Sequence, residues 1–412
     1  MAKIAIMGHG VVGSGVAEVL LNNADVIQIN AQQPVEIKRI LDLRSFFDLS
    51  YRSLFTTSFE DILEDDEISV VCETMGGVEP AYSFTKRLLE QKKSVVTSNK
   101  ELVSKKGAEL FTIAKNNHVN YFYEASVGGG IPIIHPLQAC LTGNRIGSVM
   151  GILNGTTNYI LTKMIDDNQT LQAALSAAQE LGYAEKDPSD DIDGSDACRK
   201  IAILASLCFG QEVHPENIHQ EGIEKVTLDD VAYARSWGGE IKLIASVEKM
   251  GSGSLAVFVE PVFLPKQHPL ASVDDVFNGI MVTGNVVGEL LFVGKGAGKL
   301  PTASAVVSDV IEAVKTKGTN LNLQWPPCSQ SVLCDYEEHK ANFYLRFQSR
   351  TAQDSSKIFD EFSNALTFKC EKKIDDEIAL QTDKISIAEL NAKLKRLAHR
   401  DVVLLSKMRM IV

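Results

Sequence analysis

The chain has 412 residues, 45% of them hydrophobic, and a formal net charge of −12, enough length for two or three domains with cores of their own. An acidic chain without a long basic block argues against nucleic acid as a partner, and no apolar run approaches the ~20 residues that cross a bilayer. Seven cysteines with no C-x-x-C pair argue against a zinc ribbon or a disulfide framework, and for reduced thiols in a cytoplasmic protein.

Lys3–Met7 has the apolar character of a buried strand, Gly8-His9-Gly10-Val11-Val12-Gly13 follows at once, and Val11–Leu21 reads as a helix. Glycine comes too soon after Met1 for a signal peptide. In a unit of strand, G-x-G-x-x-G and helix, the first glycine permits the tight turn, the second admits a pyrophosphate and the third packs helix on strand. Free N–H groups at the helix start then face the phosphates. A second strand is predicted over Glu36–Leu41, after a long connection from Asn22 to Pro34. It ends at Asp42, whose carboxylate suits ribose hydroxyls and repels a 2′-phosphate. Arg44, two residues on, suits that phosphate, and plain solvated loop charges are the alternative. The balance favours NAD.

Ile68–Cys72 leads into Glu73-Thr74-Met75-Gly76-Gly77, a helix is predicted over Glu79–Lys92, and the strand Ser94–Thr97 leads into Ser98-Asn99-Lys100. Parallel sheets gather ligands at the carboxyl ends of their strands, so Thr74, Met75, Gly76, Thr97, Asn99 and Lys100 are expected around a cofactor. Lys100 is either a solvated loop lysine or a group facing the nicotinamide. After the strand Val119–Tyr123, the run from Glu124 to Ile131 holds three glycines. Their freedom either turns carbonyls toward a bound cation or makes a hinge.

From Arg145 the character changes. Met150–Asn158 reads as strand into helix, with Asn154, Gly155 and Thr156 available to a substrate or for capping. Helices are predicted over Asn158–Asp167 and Leu171–Leu181, and then Tyr183 opens a loop in which Glu185, Asp187, Asp190, Asp191, Asp193 and Asp196 crowd together. Such a loop repels itself unless something positive sits among the acids. Gly194 and Ser195 allow a turn before the helix Asp196–Gly210, where an acid in the first turn suits the dipole. Asp196 and Lys200 share one face of it, as a structural ion pair or as a proton-handling group. Strands are predicted over Ile241–Val247, Ser254–Phe263 and Ile280–Thr283. Gly294–Gly298 is a further glycine loop, and Pro301–Val314 is a helix. Asn322–Pro327 reads as a linker, and the last eighty or so residues as a small α+β module.

Seven stretches together are similar to the homoserine dehydrogenase family: GHGVVGSGV at the start, ETMGGVEPAY from Glu73, VVTSNKELV from Val95, EASVGGGIPII from Glu124, GILNGTTNYIL from Gly151, GYAEKDPSDDIDGSDACRKIAIL from Gly182 and GKGAGKLPTASAVVSDV from Gly294. The resemblance covers most of the first ~320 residues. It implies an α/β chain with an N-terminal Rossmann-type doubly wound parallel sheet (1–130, with helix 301–318 returning to it). A middle α+β catalytic and dimerisation domain (131–320) and a C-terminal ACT-like α+β domain (335–412) would follow. The implied reaction interconverts L-homoserine and L-aspartate 4-semialdehyde with NAD or NADP, in a homodimer. Lys100 and Lys200 match the family's catalytic lysines. Glu185, Asp191 and Asp196 match its substrate acids, with Asn154, Gly155, Thr156 and Tyr183 beside them. The cofactor side comprises Gly8, Gly10, Val11, Val12, Gly13, Asp42, Arg44, Thr74, Met75, Gly76, Thr97, Asn99, Lys100 and Gly298. The carbonyls of Glu124, Val127, Gly129 and Ile131 match a site for Na+ or K+.

Three departures from the family pattern stand out: Lys186 in the acidic loop, Lys299 after the late glycine loop, and Asp42-Leu43 where NADP users commonly carry Arg. In the C-terminal module the loop Gln348–Asp354 lacks the Pro and Gly expected of an effector site, so weak or absent threonine inhibition is expected. The competing readings are another Rossmann semialdehyde reductase of amino-acid metabolism and a non-catalytic nucleotide-binding sensor. Retention of both lysines with all three acids argues against the sensor.

Overall fold

The computed structural model describes residues 1–321, 325–328, 331–370 and 376–412. Its first sheet is parallel and six-stranded: β1 (Ala2–Met7), β2 (Val35–Leu41), β3 (Phe55–Thr56), β4 (Ile68–Glu73), β5 (Ser94–Thr97) and β6 (Tyr121–Phe122), in the order β3-β2-β1-β4-β5-β6. This is the doubly wound order. The chain reverses direction across the sheet between β1 and β4, and a crevice opens there above the strand ends. The connection from Asn22 to Pro34 is not a plain loop, because a second helix, Ala24–Ala31, buries Ile27 and Ala31. The helix Lys299–Lys315 lies on the same sheet: Ala303, Val306 and Val310 share one buried cluster with Ile4, Ile6, Val16 and Leu20.

The second sheet is mixed and, among the described residues, has eleven strands. Its first half comprises β7 (Ile146–Ile152), β8 (His219–Gln220), β9 (Gly239–Lys249), β10 (Leu255–Pro265), β11 (Phe277–Gly284) and β12 (Gly288–Lys295). Sequence pattern missed β12 and the helix Leu228–Trp237. Yet that helix carries a visible signal, a Thr227/Asp230 capping box. The C-terminal residues form β13 (Lys340–Gln348), β14 (Leu366–Thr367), β15 (Glu377–Gln381), β16 (Ile385–Ser386) and β17 (Leu404–Met410), with helices Ala352–Glu361 and Ile387–Ala398 between them. They do not build a separate sheet. β17 pairs in parallel with β10 through Val262–Arg409 and Phe263–Met410, so the module continues the middle sheet.

Residues 322–324 of the expected linker lie outside the described residues, but Trp325 behaves as core. It is 3% exposed and meets Phe111 edge-on at 4.7 Å. A second seam holds the module: buried Arg346 of β13 reaches Asp230 at 3.2 Å and Asp229 at 3.3 Å on the Leu228–Trp237 helix, and Glu377 at 3.3 Å. Tyr344 adds a hydrogen bond to Asp230 at 3.0 Å. Removing the guanidinium strands a buried carboxylate, so Arg346→Met is expected to cost about 3–5 kcal/mol. A guanidinium-chloride unfolding curve with an unmoved midpoint would refute this.

Candidate active site

The crevice is built from the glycine loop. Gly8 adopts φ +92°, and a Cβ on Gly13 would sit 1.9 Å from the Gly8 carbonyl oxygen and 2.7 Å from Thr74 Oγ1. Only glycine lets the helix start so close to the strand. Gly10 has open space where its side chain would be, the room a pyrophosphate requires. Val11 is exposed at the first turn and no side chain caps the helix start, while Val12 packs on the cluster around β1. Thr74 lines the opening but its hydroxyl is taken up by the loop, donating to the Met7 and Gly8 carbonyls at 3.0 and 2.9 Å.

A cleft of about 470 Å³ beside this loop is lined by Gly8, Gly10, Asp42, Arg44, Thr74 and Met75. Asp42 does not hang free. It accepts the His9 N–H at 2.8 Å and two bonds from the Arg44 guanidinium at 3.0 and 2.8 Å. Arg44 holds its carboxyl far below the usual range, against the opposing effect of burial. Arg44 also lies over the Phe46 ring, 5.3 Å from its centroid.

Two strand ends are tied together below the neighbouring loops. Glu73, fully buried, accepts the Met75 N–H at 2.8 Å and the Thr97 hydroxyl at 2.6 Å. Burial pushes its carboxyl up, against these bonds. Thr97 in turn accepts the Asn99 N–H at 2.9 Å. Asn99 caps the Lys100–Asn116 helix by accepting from Leu102, and its amide donates to the Gly77 carbonyl at 2.7 Å, beyond Gly76 at φ +124°. Thr97 and Asn99 therefore set where Lys100 begins its helix, and Thr97 itself is wholly enclosed.

Lys100 reaches across to the middle domain, where it forms an ion pair with Oδ1 of Asp196. The other oxygen, Oδ2, pairs with Lys200 at 2.7 Å. The helix Ser195–Phe209 starts after Gly194 at φ +87°, which puts Asp196 and Lys200 on one buried face. Lys200 also donates to the Leu153 carbonyl at 2.7 Å. Asn154 joins the acids: its amide donates to Asp191 at 2.7 Å and Asp196 at 2.9 Å, while its oxygen caps the Gly155–Asp166 helix. A cleft of about 990 Å³ opens over this array, and Val11, Lys100, Gly155, Thr156, Tyr183, Glu185, Asp191, Lys200 and Gly298 line it. Thr156 donates to the Tyr183 carbonyl at 2.8 Å. Gly298, at φ +122°, precedes the Lys299–Lys315 helix, so two helix starts meet at the mouth; Lys299 itself pairs with Glu18 at 2.6 Å.

The charges divide unequally. Burial pushes the Lys200 ammonium below the ordinary lysine range, with Lys100 adding to the effect and Asp196 resisting it. Burial also opposes the charge on Lys100, but Asp196 overcomes it and that lysine is raised. Asp196 is held far below a normal carboxylic acid because two ammonium groups outweigh its burial. Burial raises Asp191. Cys198, on the same helix, points its thiol at the Pro215 carbonyl, and burial pushes it up to about 12.

The Glu124–Ile131 loop lies behind the cleft. Glu124 turns its carboxylate inward to accept three N–H groups, from Ile133, Ile134 and His135, at 2.6–2.9 Å. Gly128 and Gly129 have positive φ, and a Cβ on Gly129 would lie 2.4 Å from the Gly296 carbonyl oxygen.

A doubly wound sheet whose crevice opens on paired amines and acids defines a dinucleotide-dependent oxidoreductase. The description "Homoserine dehydrogenase, NAD binding domain" matches residues 8–124, and "Homoserine dehydrogenase" matches residues 132–311. The chain belongs to the homoserine dehydrogenase family. The homoserine dehydrogenase of Synechocystis sp. is 47% identical over 359 residues, covering 84% of this chain and 82% of that protein. The crystal structure of a homoserine dehydrogenase from Thiobacillus denitrificans superposes with TM-score 0.91 at 32% identity, covering 100% of this chain and 98% of the other. A hyperthermophilic archaeal homoserine dehydrogenase in complex with NADPH matches with TM-score 0.65 at 31% identity, covering 76% of this chain and 97% of that one.

Gly13→Ala forces the helix start off the strand, a strain of about 1–3 kcal/mol, and is expected to weaken dinucleotide binding about tenfold. A titration of NADH fluorescence giving an unchanged Kd would contradict the loop assignment.

Proposed function

We propose that the cleft interconverts L-homoserine and L-aspartate 4-semialdehyde, and that Lys200 moves the proton while Lys100 stays charged. The observation that carries this reading is the single Asp196 carboxylate shared by Lys100 and Lys200 at the cleft wall. Homoserine brings an ammonium, for which Glu185 and Asp191 supply negative charge. Its terminal hydroxyl then lies toward the amines, and Gly155, Thr156 and Tyr183 border the chain of the substrate. The crevice along Gly8–Gly13, Thr74–Gly76 and Asn99 would hold the dinucleotide, which when bound would supply the hydride acceptor or donor. A group that must give and take a proton works best with its pKa moved toward the working pH. Lys200 is moved that way and Lys100 is not. The raised amine of Lys100 holds the forming oxyanion, and Asp196 keeps both lysines in place.

In the oxidising direction the base must be neutral, so kcat rises with pH through a pKa below 10.5, the ordinary lysine value. Lys200→Arg stays protonated throughout and is expected to lose about 100- to 10,000-fold in kcat together with the rising limb. Lys100→Ala is expected to lose as much but to keep the limb. NADH formation at 340 nm across pH measures both, and an intact limb in Lys200→Arg would exchange the two roles.

For the cofactor, NAD is the preferred form in this reading, because Arg44 is bound to Asp42 and the carboxylate faces the cleft beside the glycine loop. The Glu124–Ile131 loop fits Na+ or K+: among the described residues the carbonyls of Val127, Gly129 and Ile131 take no backbone N–H, and oxygen donors suit such ions. A cation there would brace the loop behind the cleft. β12 is an edge strand with Leu291 and Val293 exposed, a surface for a homodimer built on the middle sheet. The C-terminal module of β13–β17 and its two helices serves assembly in this reading, since Thr351 and Asp354 of its first loop are taken up in a capping box. The same assay scores both refinements: kcat/KM is expected to be higher with NAD than NADP, and millimolar threonine to leave it unchanged. Equal constants would remove the first, and strong inhibition the second.

A further inference from the structure

Two acids that face the cleft, Asp191 and Asp196, are separated by one tight turn, Ile192–Ser195, and that turn rests on a neighbouring strand. β8 and β17 lie end to end along one edge of β10, β8 on Phe258–Val259 and β17 on Val262–Phe263. The loop that leaves β8 runs against the turn. The Ile223 N–H donates to the Ile192 carbonyl at 2.9 Å, and a Cβ on Gly222 would sit 2.2 Å from that oxygen. Gln220 donates to Ser195 Oγ at 3.0 Å, at the first residue of the helix that carries Asp196 and Lys200.

The far side of the same loop is held by the C-terminal strand. Lys407 of β17 pairs with Glu221 at 3.3 Å, and His219 meets the same carboxylate oxygen at 3.1 Å. His219 stacks on Tyr336 with centroids 3.5 Å apart, and the Tyr336 hydroxyl donates to Glu260 at 3.1 Å. Arg409 of β17 forms a buried ion pair with Glu260. The ligand atoms of His219, Glu221 and Glu260 lie within 4.8 Å of one another, but Lys407 and Arg409 already neutralise both acids. The cluster therefore works as a brace rather than as a metal site. His219 and Lys407 hold the Glu221 carboxyl down to about 2, against its burial, so the brace keeps its charge across the working pH range.

We propose that Gln220 and Glu221 are positioning residues for the reaction: held by Lys407 of the C-terminal strand, they fix the Ile192–Ser195 turn and so set how Asp191 and Asp196 face the substrate and Lys200. Neither residue touches the cleft. This reading rests on the assigned roles of Asp191, Asp196 and Lys200. It accounts for the continuous middle sheet, because a module merely tethered by a linker would transmit nothing to the turn.

Lys407 is partly exposed, so Lys407→Met folds with little loss. Measured on the full chain, it is expected to raise KM for homoserine and lower kcat, each about 3- to 10-fold, with KM for NAD unchanged. Lys407→Arg is expected to restore both constants to within about twofold. Gln220→Ala is expected to act in the same direction, and the double variant to be no worse than the poorer single one, because both break one route. Arg396→Met, which breaks an exposed pair with Glu361 in the same module, is expected to change neither constant. Lys407→Met that lowers Tm but keeps wild-type constants, or effects that multiply in the double variant, would overturn the proposal. Loss of activity in Lys200→Arg together with wild-type kinetics in Lys407→Met would sink this inference alone. Unchanged activity in Lys200→Arg would instead undermine the chemistry on which it stands.

Discussion

One carboxylate holds the site together. Asp196 sits between two ammonium groups that come from different sheets, Lys100 from the helix after β5 and Lys200 from the helix Ser195–Phe209. Two such cations at one wall repel each other, and each would leave the interior without a counter-charge. A single acid, buried and bound by the Asn154 amide as well, resolves both problems. It also means that the nucleotide sheet and the middle domain are joined at the wall of the cleft, where the proton transfer is proposed. Any shift of one against the other is felt first at Asp196.

Much of this was legible in the amino-acid order, and the reason is local. A glycine whose Cβ would meet a carbonyl at 1.9 Å leaves a trace that no other residue can leave. Six acids in one loop announce that cations are near. An i,i+4 pair such as Asp196 and Lys200 needs only helix geometry to be placed. By contrast, β12 is an exposed edge strand whose Leu290–Val293 run shows no polar alternation, and Ala24–Ala31 buries just two side chains. Elements that lean lightly on the core write a faint pattern. Trp325 lay next to two prolines and looked like punctuation, but its ring completes the packing around Phe111 and Tyr123.

Thr74 and Thr97 show a different limit. Both stand at strand ends where a cofactor is expected, and sequence position alone places them in the crevice. Their hydroxyls are taken up by the protein: Thr74 bonds to the backbone of the glycine loop, and Thr97 joins Glu73 to Asn99. Position along a strand tells which end of the sheet a residue occupies. Whether it faces the opening or lies under it depends on contacts across strands, which a single chain read in order does not contain. The union of β10 with β17 is hidden for the same reason, since a two-residue parallel pairing across so long a stretch has no local signature.

The connector around Gly128–Gly130 also has a mechanical meaning. It leaves the nucleotide sheet directly beside the segment that returns to it at Lys295–Gly298, and the two are hydrogen-bonded, Gly130 N–H to the Lys295 carbonyl at 3.0 Å. The outgoing and returning segments pack so closely that a Cβ on Gly129 would lie 2.4 Å from the Gly296 carbonyl oxygen. Lys100 precedes the first segment and Lys200 lies between the two, so fastening both crossings at one place ties the placement of the two lysines to each other.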